Sequence, residues 1–170
     1  LGNALIGMYA KCCALGRAQE VFDNLRTPDV ISWNALISGY AQLGEATKVF
    51  YLFSMMLREA TILPDIVTLI ILLSVCSHGG LVKEGQTLLD HMLAFYSVKP
   101  TVEHYTCMVD LLGRAGRLHE AVVMIEKTCS LQENSVVWCM VLDACRKWKN
   151  IEVGRLAFDR AVRTPKEQGC

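Results

Sequence analysis

Apolar side chains at Trp33, Leu36, Ile37 and Tyr40 keep the i, i+3, i+4, i+7 spacing of one helical face. Gly44 interrupts the pattern, and Val49, Phe50, Leu52 and Phe53 resume it. Pro64-Asp65 then closes the segment, because proline disfavours helical geometry in the residue before it. The same order returns further along. Tyr105, Met108, Val109 and Leu112 mark one helix, and Gly113-Arg114-Ala115-Gly116-Arg117 forms a turn. Leu118, Ala121, Val122, Met124 and Ile125 mark the next helix. Pro28-Asp29 and Pro100-Thr101 close two further segments in the same way. No stretch alternates apolar and polar residues at the period of a strand. The pattern predicts ten helices in five antiparallel pairs, with turns of about two to four residues.

The pairs are copies of one another. Asn3-Ala4-Leu5-Ile6-Gly7-Met8-Tyr9-Ala10 returns as Asn34-Ala35-Leu36-Ile37-Ser38-Gly39-Tyr40-Ala41. Looser copies start at Ile70, Thr106 and Cys139, so the spacings are 31, 36, 36 and 33 residues. Such a period predicts an all-α, right-handed α-solenoid, in which a continuous core forms only by stacking and function lies along the stacked surface. The units are placed at 1–29, 30–65, 66–101, 102–134 and 135–170. Leu1 in place of Met, and a last unit running out at Thr164-Pro165-Lys166, point to a fragment with missing neighbours. Any targeting peptide is then expected outside it.

Composition narrows the options. The chain is 52% hydrophobic, enough for a continuous core, and its 17 basic and 17 acidic residues cancel. No overall basic field draws in nucleic acid or an anionic membrane, so any nucleic-acid binding must come mainly from local contacts. The longest apolar run, Ile66 to Cys76, is too short to span a bilayer. Of eight cysteines, Cys76, Cys107, Cys139 and Cys145 fall where small buried residues fit, which favours free thiols in a reducing compartment. His104 and Cys107 have the spacing of two metal ligands on a helix, but no second pair accompanies them and no C-x-x-C occurs. No histidine has Glu two residues later, as a zinc deaminase requires. Phosphate-cradling glycine motifs and G-x-S-x-G are also missing. The chain reads as a non-enzyme, and no cofactor is implied.

Several strings carry a family resemblance. Val30-Ile-Ser-Trp-Asn-Ala-Leu-Ile-Ser-Gly-Tyr-Ala-Gln and Val102-Glu-His-Tyr-Thr-Cys-Met-Val-Asp-Leu-Leu-Gly-Arg-Ala-Gly-Arg-Leu resemble the start of the plant pentatricopeptide repeat. Val67-Thr to Cys76-Ser-His-Gly-Gly-Leu-Val-Lys-Glu-Gly resembles its long variant. Val137-Trp138, followed by Leu142-Asp-Ala-Cys145-Arg, resembles the E-type unit. The order short, standard, long, short, E-type is similar to the tail of the PLS subclass. The resemblance implies that each repeat reads one RNA base through a residue near the start of its first helix and its last residue. The pairs carried over are Asn3 with Asp29, Asn34 with Asp65, Ile70 with Thr101, and Thr106 with Asn134. The first two resemble the uridine-preferring combination and the last the adenine-preferring one, while Ile70 with Thr101 receives no base. The implied preference is U-U-N-A. Ile31, Val67, Glu103 and Val136 would lie between successive bases, and Glu103 suits that place poorly.

Members with this order specify sites of C-to-U editing in mitochondrial or chloroplast transcripts. The implied partners are single-stranded RNA, organellar editing cofactor proteins on residues 66–101, and a deaminase domain in cis or in trans. No membrane partner is implied. The hydrogen-bonding chemistry agrees: Asp only accepts and meets the N3–H of uracil, whereas the Asn amide donates and meets adenine N1.

Plainer roles stand beside these. Asn3 and Asn34 are residues that can satisfy free backbone N–H groups at a helix start, and Asp29 and Asp65 can cap the following helix. Trp33, Tyr40, Tyr105 and Trp138 suit core packing. Lys11, Arg114, Arg117 and Arg146 suit either phosphate contacts or solvated turns. Two other functions remain open: a tetratricopeptide-like scaffold for proteins, although the W-x-x-L-G-x-x-Y pattern is absent, and a spacer whose RNA affinity comes from missing upstream repeats.

Overall fold

A computed structural model describes residues 1–59 and 61–163 of the 170-residue chain. Among the described residues every regular element is helical. The helices are α1 (Gly2–Lys11), α2 (Leu15–Asp23), α3 (Val30–Gln42), α4 (Ala46–Arg58), α5 (Ile66–Gly79) and α6 (Val82–Tyr96). They continue as α7 (Val102–Arg114), α8 (Leu118–Lys127), α9 (Cys129–Gln132), α10 (Ser135–Trp148) and α11 (Ile151–Arg163). The expectation of ten helices is corrected to eleven among the described residues. The addition is α9, a single turn that buries Leu131 and takes the carbonyl of Gln132 to the Trp138 indole at 2.9 Å. The expected end of the last unit at Thr164-Pro165-Lys166 lies outside the described residues.

One turn joins the two helices of each of the five pairs. A residue in the left-handed region follows the first helix at Cys13, Gly44, Gly80, Gly116 and Lys149. The next backbone N–H then reaches back five residues: Ala14 to Tyr9, Glu45 to Tyr40, Leu81 to Cys76, Arg117 to Leu112, and Asn150 to Cys145, at 2.9–3.1 Å. This is the six-to-one closure of a Schellman motif, which satisfies carbonyls that a helix end leaves free. At Gly116 glycine meets two demands, because an added Cβ would also come within 3.0 Å of the Trp148 ring.

The first helices α1, α3, α5, α7 and α10 touch in succession and form one layer. The second helices α2, α4, α6 and α8 each pack on the first helix of the next pair, so the stack is a solenoid. Gly39 allows one such approach, since a Cβ there would sit 2.8 Å from Ala10 and Leu15. The core runs through the stack in two clusters that meet on α7. Met108 and Leu111 join Leu36, Leu72 and Met92 on one side. Val109 and Leu112 join Ile125, Trp138 and Val141 on the other. Among the described residues no helix is long and apolar enough to cross a membrane.

Candidate functional site

Asp29 ends an extended segment and caps α3, its carboxylate accepting the Ser32 N–H at 2.8 Å. Asp65 caps α5 in the same way, accepting the Thr68 N–H at 2.8 Å. In both boxes the hydroxyl returns the contact by accepting the Asp backbone N–H at 3.2 Å. The capping role weighed from the sequence is therefore real for both aspartates. It does not exhaust them. The Asn3 amide donates to the Asp29 carboxylate at 3.1 and 3.2 Å. The Asn34 amide donates to Asp65 at 3.0 Å. Asn3 and Asn34 thus turn to the carboxylates that cap α3 and α5, not to backbone N–H groups of their own.

These bonds hold both carboxyl groups below the ordinary aspartate range. For Asp29 the Ser32 backbone N–H leads, followed by the Ser32 hydroxyl, with burial opposing them and the Asn3 amide adding to the lowering. For Asp65 burial is the largest influence and pushes upward, but the Thr68 N–H, the Asn34 amide and the Thr68 hydroxyl together outweigh it. Both are ionised at neutral pH.

The other two pairs are built differently. Ile70 lies half-buried on α5 beside Ser38 and Ser74 and offers no polar group. Thr101 starts α7, its N–H donating to His104 Nδ1 at 3.1 Å and its hydroxyl to Glu103 at 2.5 Å. No hydrogen bond joins Thr106 to Asn134. The Thr106 hydroxyl donates back to the Val102 carbonyl at 2.8 Å. Asn134 Oδ1 accepts the N–H groups of Val136 and Val137 at 3.1 and 3.4 Å, capping α10.

The residues expected to lie between bases, Ile31, Val67, Glu103 and Val136, all fall in the first turn of a first helix. Ile31, Val67 and Val136 are 60%, 51% and 65% exposed, so three apolar side chains stand in solvent at equivalent positions. Glu103 is exposed too, and the Thr101 hydroxyl holds its carboxyl below the usual range. The cations are less available. Arg114 pairs with Asp110 at 2.8 Å, Arg117 with Glu120 at 2.5 Å and Arg146 with Asp143 at 3.5 Å, while Lys11 is exposed.

Trp33 and Trp138 are buried in the core, and Tyr40 and Tyr105 pack against it. Two cysteine expectations are corrected: Cys107 is only half-buried and Cys139 is exposed, because it falls on the face of α10 that no neighbour covers. Cys76 and Cys145 are buried. His104 serves in the α7 cap instead of pairing with Cys107, and among the described residues no three His, Cys, Asp or Glu side chains converge for a metal. Burial pushes the His104 pKa down, against the Ile66 backbone and Glu103, so the ring is neutral at pH 7. Sequence reasoning passed over Ser32 and Thr68, which the structure places against both members of the first two pairs. Their signal was the D-x-x-S and D-x-x-T spacing of a capping box at 29–32 and 65–68.

A stack of helix pairs with recurring polar side chains between successive first helices defines an α-solenoid repeat protein. The chain matches the PPR repeat family over residues 28–94 and the PPR repeat again over 103–130, and it belongs to that family. A putative pentatricopeptide repeat-containing protein of Arabidopsis thaliana is 45% identical over 157 residues, 92% of this chain and 31% of the relative. Another from the same plant, named chloroplastic, is 41% identical over 155 residues, 91% of this chain and 20% of its own length. This chain thus spans less than a third of either relative. The crystal structure of the pentatricopeptide repeat protein PPR10 from maize superposes with a TM-score of 0.79 at 25% identity, over 93% of this chain and 23% of that one. The PPR domain of Arabidopsis thaliana protein-only RNase P 1, solved in complex with tRNA, shares the fold at 0.72 and 15% identity, over 95% and 89%.

Proposed function

We propose that this chain binds single-stranded RNA sequence-specifically, one base per repeat, with the preference U-U-N-A. The carrying observation is the recurrence of an Asn–Asp pair between successive first helices, at Asn3–Asp29 and again at Asn34–Asp65. Each pair sets an acceptor-only carboxylate beside an amide donor, a combination that meets the N3–H and a carbonyl oxygen of uracil. Cytosine would put its N3 acceptor against the carboxylate. At the fourth position Asn134 Oδ1 is engaged by two backbone N–H groups, so its NH2 is what remains for a base and suits adenine N1. Ile31, Val67 and Val136 supply apolar surface for base faces between the reading positions. PPR10 has also been solved in complex with an 18-nt psaJ RNA element, at 19% identity to this chain.

The repeats run 1–29 short, 30–65 standard, 66–101 long, 102–134 short and 135–170 E-type, the tail order of the PLS subclass. In this reading the parent protein specifies C-to-U editing sites in a mitochondrion or chloroplast, and relatives named chloroplastic and mitochondrial support that location. Deamination belongs to a further domain or a recruited partner, and editing cofactor proteins would grip residues 66–101. A protein-binding scaffold is the competing reading, favoured by the neutral net charge and by arginines already paired with acids.

The test is solution binding of U-U-N-A, U-U-N-G and a scrambled RNA to the native chain and to Asn134→Asp at fixed salt. The expected result is a native preference for U-U-N-A that moves toward U-U-N-G in the variant. Equal binding of all three RNAs by both proteins removes the base assignments. RNA-independent capture of a protein partner, with no RNA binding, favours the scaffold.

A further inference from the structure

Ser32 and Thr68 stand in the same place relative to two successive Asn–Asp pairs. Ser32 Oγ lies 2.7 Å from Asn3 Oδ1 and 2.8 Å from Asp29 Oδ1. Thr68 Oγ1 lies 2.6 Å from Asn34 Oδ1 and 2.9 Å from Asp65 Oδ1. Each hydroxyl has one proton and two candidate acceptors.

The carboxylate decides between them. Ionised Asp29 and Asp65 only accept, so the edge of the Asn amide that faces them must be the NH2. The amide oxygen is then turned to the hydroxyl. Two oxygens 2.6–2.7 Å apart require a proton between them, and only the hydroxyl has one to give. The hydroxyl proton is therefore directed to the amide oxygen at the shorter contact, with the carboxylate oxygen at 2.8–2.9 Å as its second, longer acceptor. Both ends of the amide are fixed, one by an acceptor and one by a donor. Ser32 and Thr68 are 1% and 0% exposed, so bulk water does not stand in for them.

We infer that Ser32 and Thr68 are specificity-determining positioning residues, each fixing from the following repeat the amide orientation of the preceding repeat's base-reading Asn. The inference rests on the reading of Asn3–Asp29 and Asn34–Asp65 as base contacts. A reading site is then a triad drawn from two repeats: Asn and Asp from one, a hydroxyl from the next. With the amide oxygen held inward, the base meets an N–H donor beside a carboxylate. An amide free to turn would also show its oxygen and would no longer separate uracil from cytosine. The third and fourth sites lack the device. His104 occupies the hydroxyl's place opposite Ile70, which has no amide to orient. Val137 occupies it beside Asn134, whose amide is fixed by backbone N–H groups alone.

The experiment measures the U-to-C binding ratio at the second base for the native chain, Thr68→Ser, Thr68→Val and Asp65→Asn, with thermal unfolding recorded for each. Ser32→Ala is read at the first base, so the inference does not depend on one variant folding. Thr68→Val is expected to lose about tenfold in the ratio at the second base while keeping the native ratio at the first. Thr68→Ser keeps both, and Ser32→Ala shows the converse loss at the first base only. Native ratios in folded Thr68→Val and Ser32→Ala overturn the inference. If Asp65→Asn still changes the ratio, the Asn–Asp reading survives that result. If Asp65→Asn changes nothing either, the reading falls with it.

Discussion

The second and fourth candidate sites share one scaffold and differ in chemistry. Both lie on first helices that end in the same six-to-one turn, and both have a capping side chain at the start of the next first helix. At the second site Asn34, Asp65 and Thr68 form a closed set of hydrogen bonds across two units. At the fourth site Thr106 satisfies itself on Val102 and Asn134 satisfies itself on α10. The repeat fixes where side chains stand, and a few residues decide whether they hold one another. Rigid sites are expected to discriminate sharply and self-satisfied ones loosely.

The largest way to break the contrast is to remove the core beneath one side of it. Leu72 and Val141 are buried in the separate clusters under the second and fourth sites. Leu72→Ala is expected to lower stability by about 2–5 kcal/mol, with a lower Tm and loss of discrimination at the second base before the fourth. Val141→Ala acts in the opposite order and is smaller, since fewer carbon atoms are removed.

Next come the caps. Asp65→Ala removes the N-cap of α5 and leaves the Asn34 amide without its acceptor, so a loss of about 1–2 kcal/mol is expected by denaturant unfolding. Asn134→Ala removes a cap alone and is expected to cost about 1 kcal/mol. Equal losses would mean that the Asn34–Asp65 bond contributes nothing.

Acid acts on the α7 cap and on the two aspartate sites in different windows. The folded pKa of His104 lies below its ordinary 6.5, so the unfolded chain takes up a proton first as pH falls. Stability therefore declines as pH falls through that unfolded value, and it stops declining once the folded ring titrates as well. His104→Asn should flatten this part of a Tm-against-pH curve. Asp29 and Asp65 have folded pKa values below 3.8. Their contribution is present above that value and is lost as pH falls through the folded values, so the first two sites persist to a pH below the ordinary aspartate range.

Thiol labelling gives the gentlest comparison. Burial, helped by Glu84, pushes the Cys76 thiol up to about 12, whereas Cys12, Cys13, Cys129 and Cys139 are exposed. Labelling at neutral pH should modify the exposed thiols first and Cys76 only on unfolding. Fast modification of Cys76 in the native chain would contradict the packing of α5.

Much of the fold was legible because helix pairs repeat a 3.6-residue apolar pattern between proline and glycine breaks. Three of the five turns carry glycine at the left-handed position, but Cys13 and Lys149 adopt it without glycine's freedom and leave no sequence signal. The single turn of α9 is too short to show a period. Cys139 sits in an apolar string, and its exposure depends on which face of α10 the neighbouring helices cover. At the candidate sites, repetition pointed to Asn3, Asp29, Asn34 and Asp65 together. The contact within each pair, and its absence between Thr106 and Asn134, depends on rotamers and competing backbone partners that a spacing does not encode. Ser32 and Thr68 read as ordinary capping residues, because their second bond crosses to the preceding unit.

The most direct measurement is the binding of this chain to four-base RNAs varied one base at a time across all four positions, at one salt concentration. The expected profile is strong uracil selection at the first and second bases, none at the third, and a shallower adenine preference at the fourth. A profile that is flat, or that is sharpest at the third or fourth base, would contradict the account.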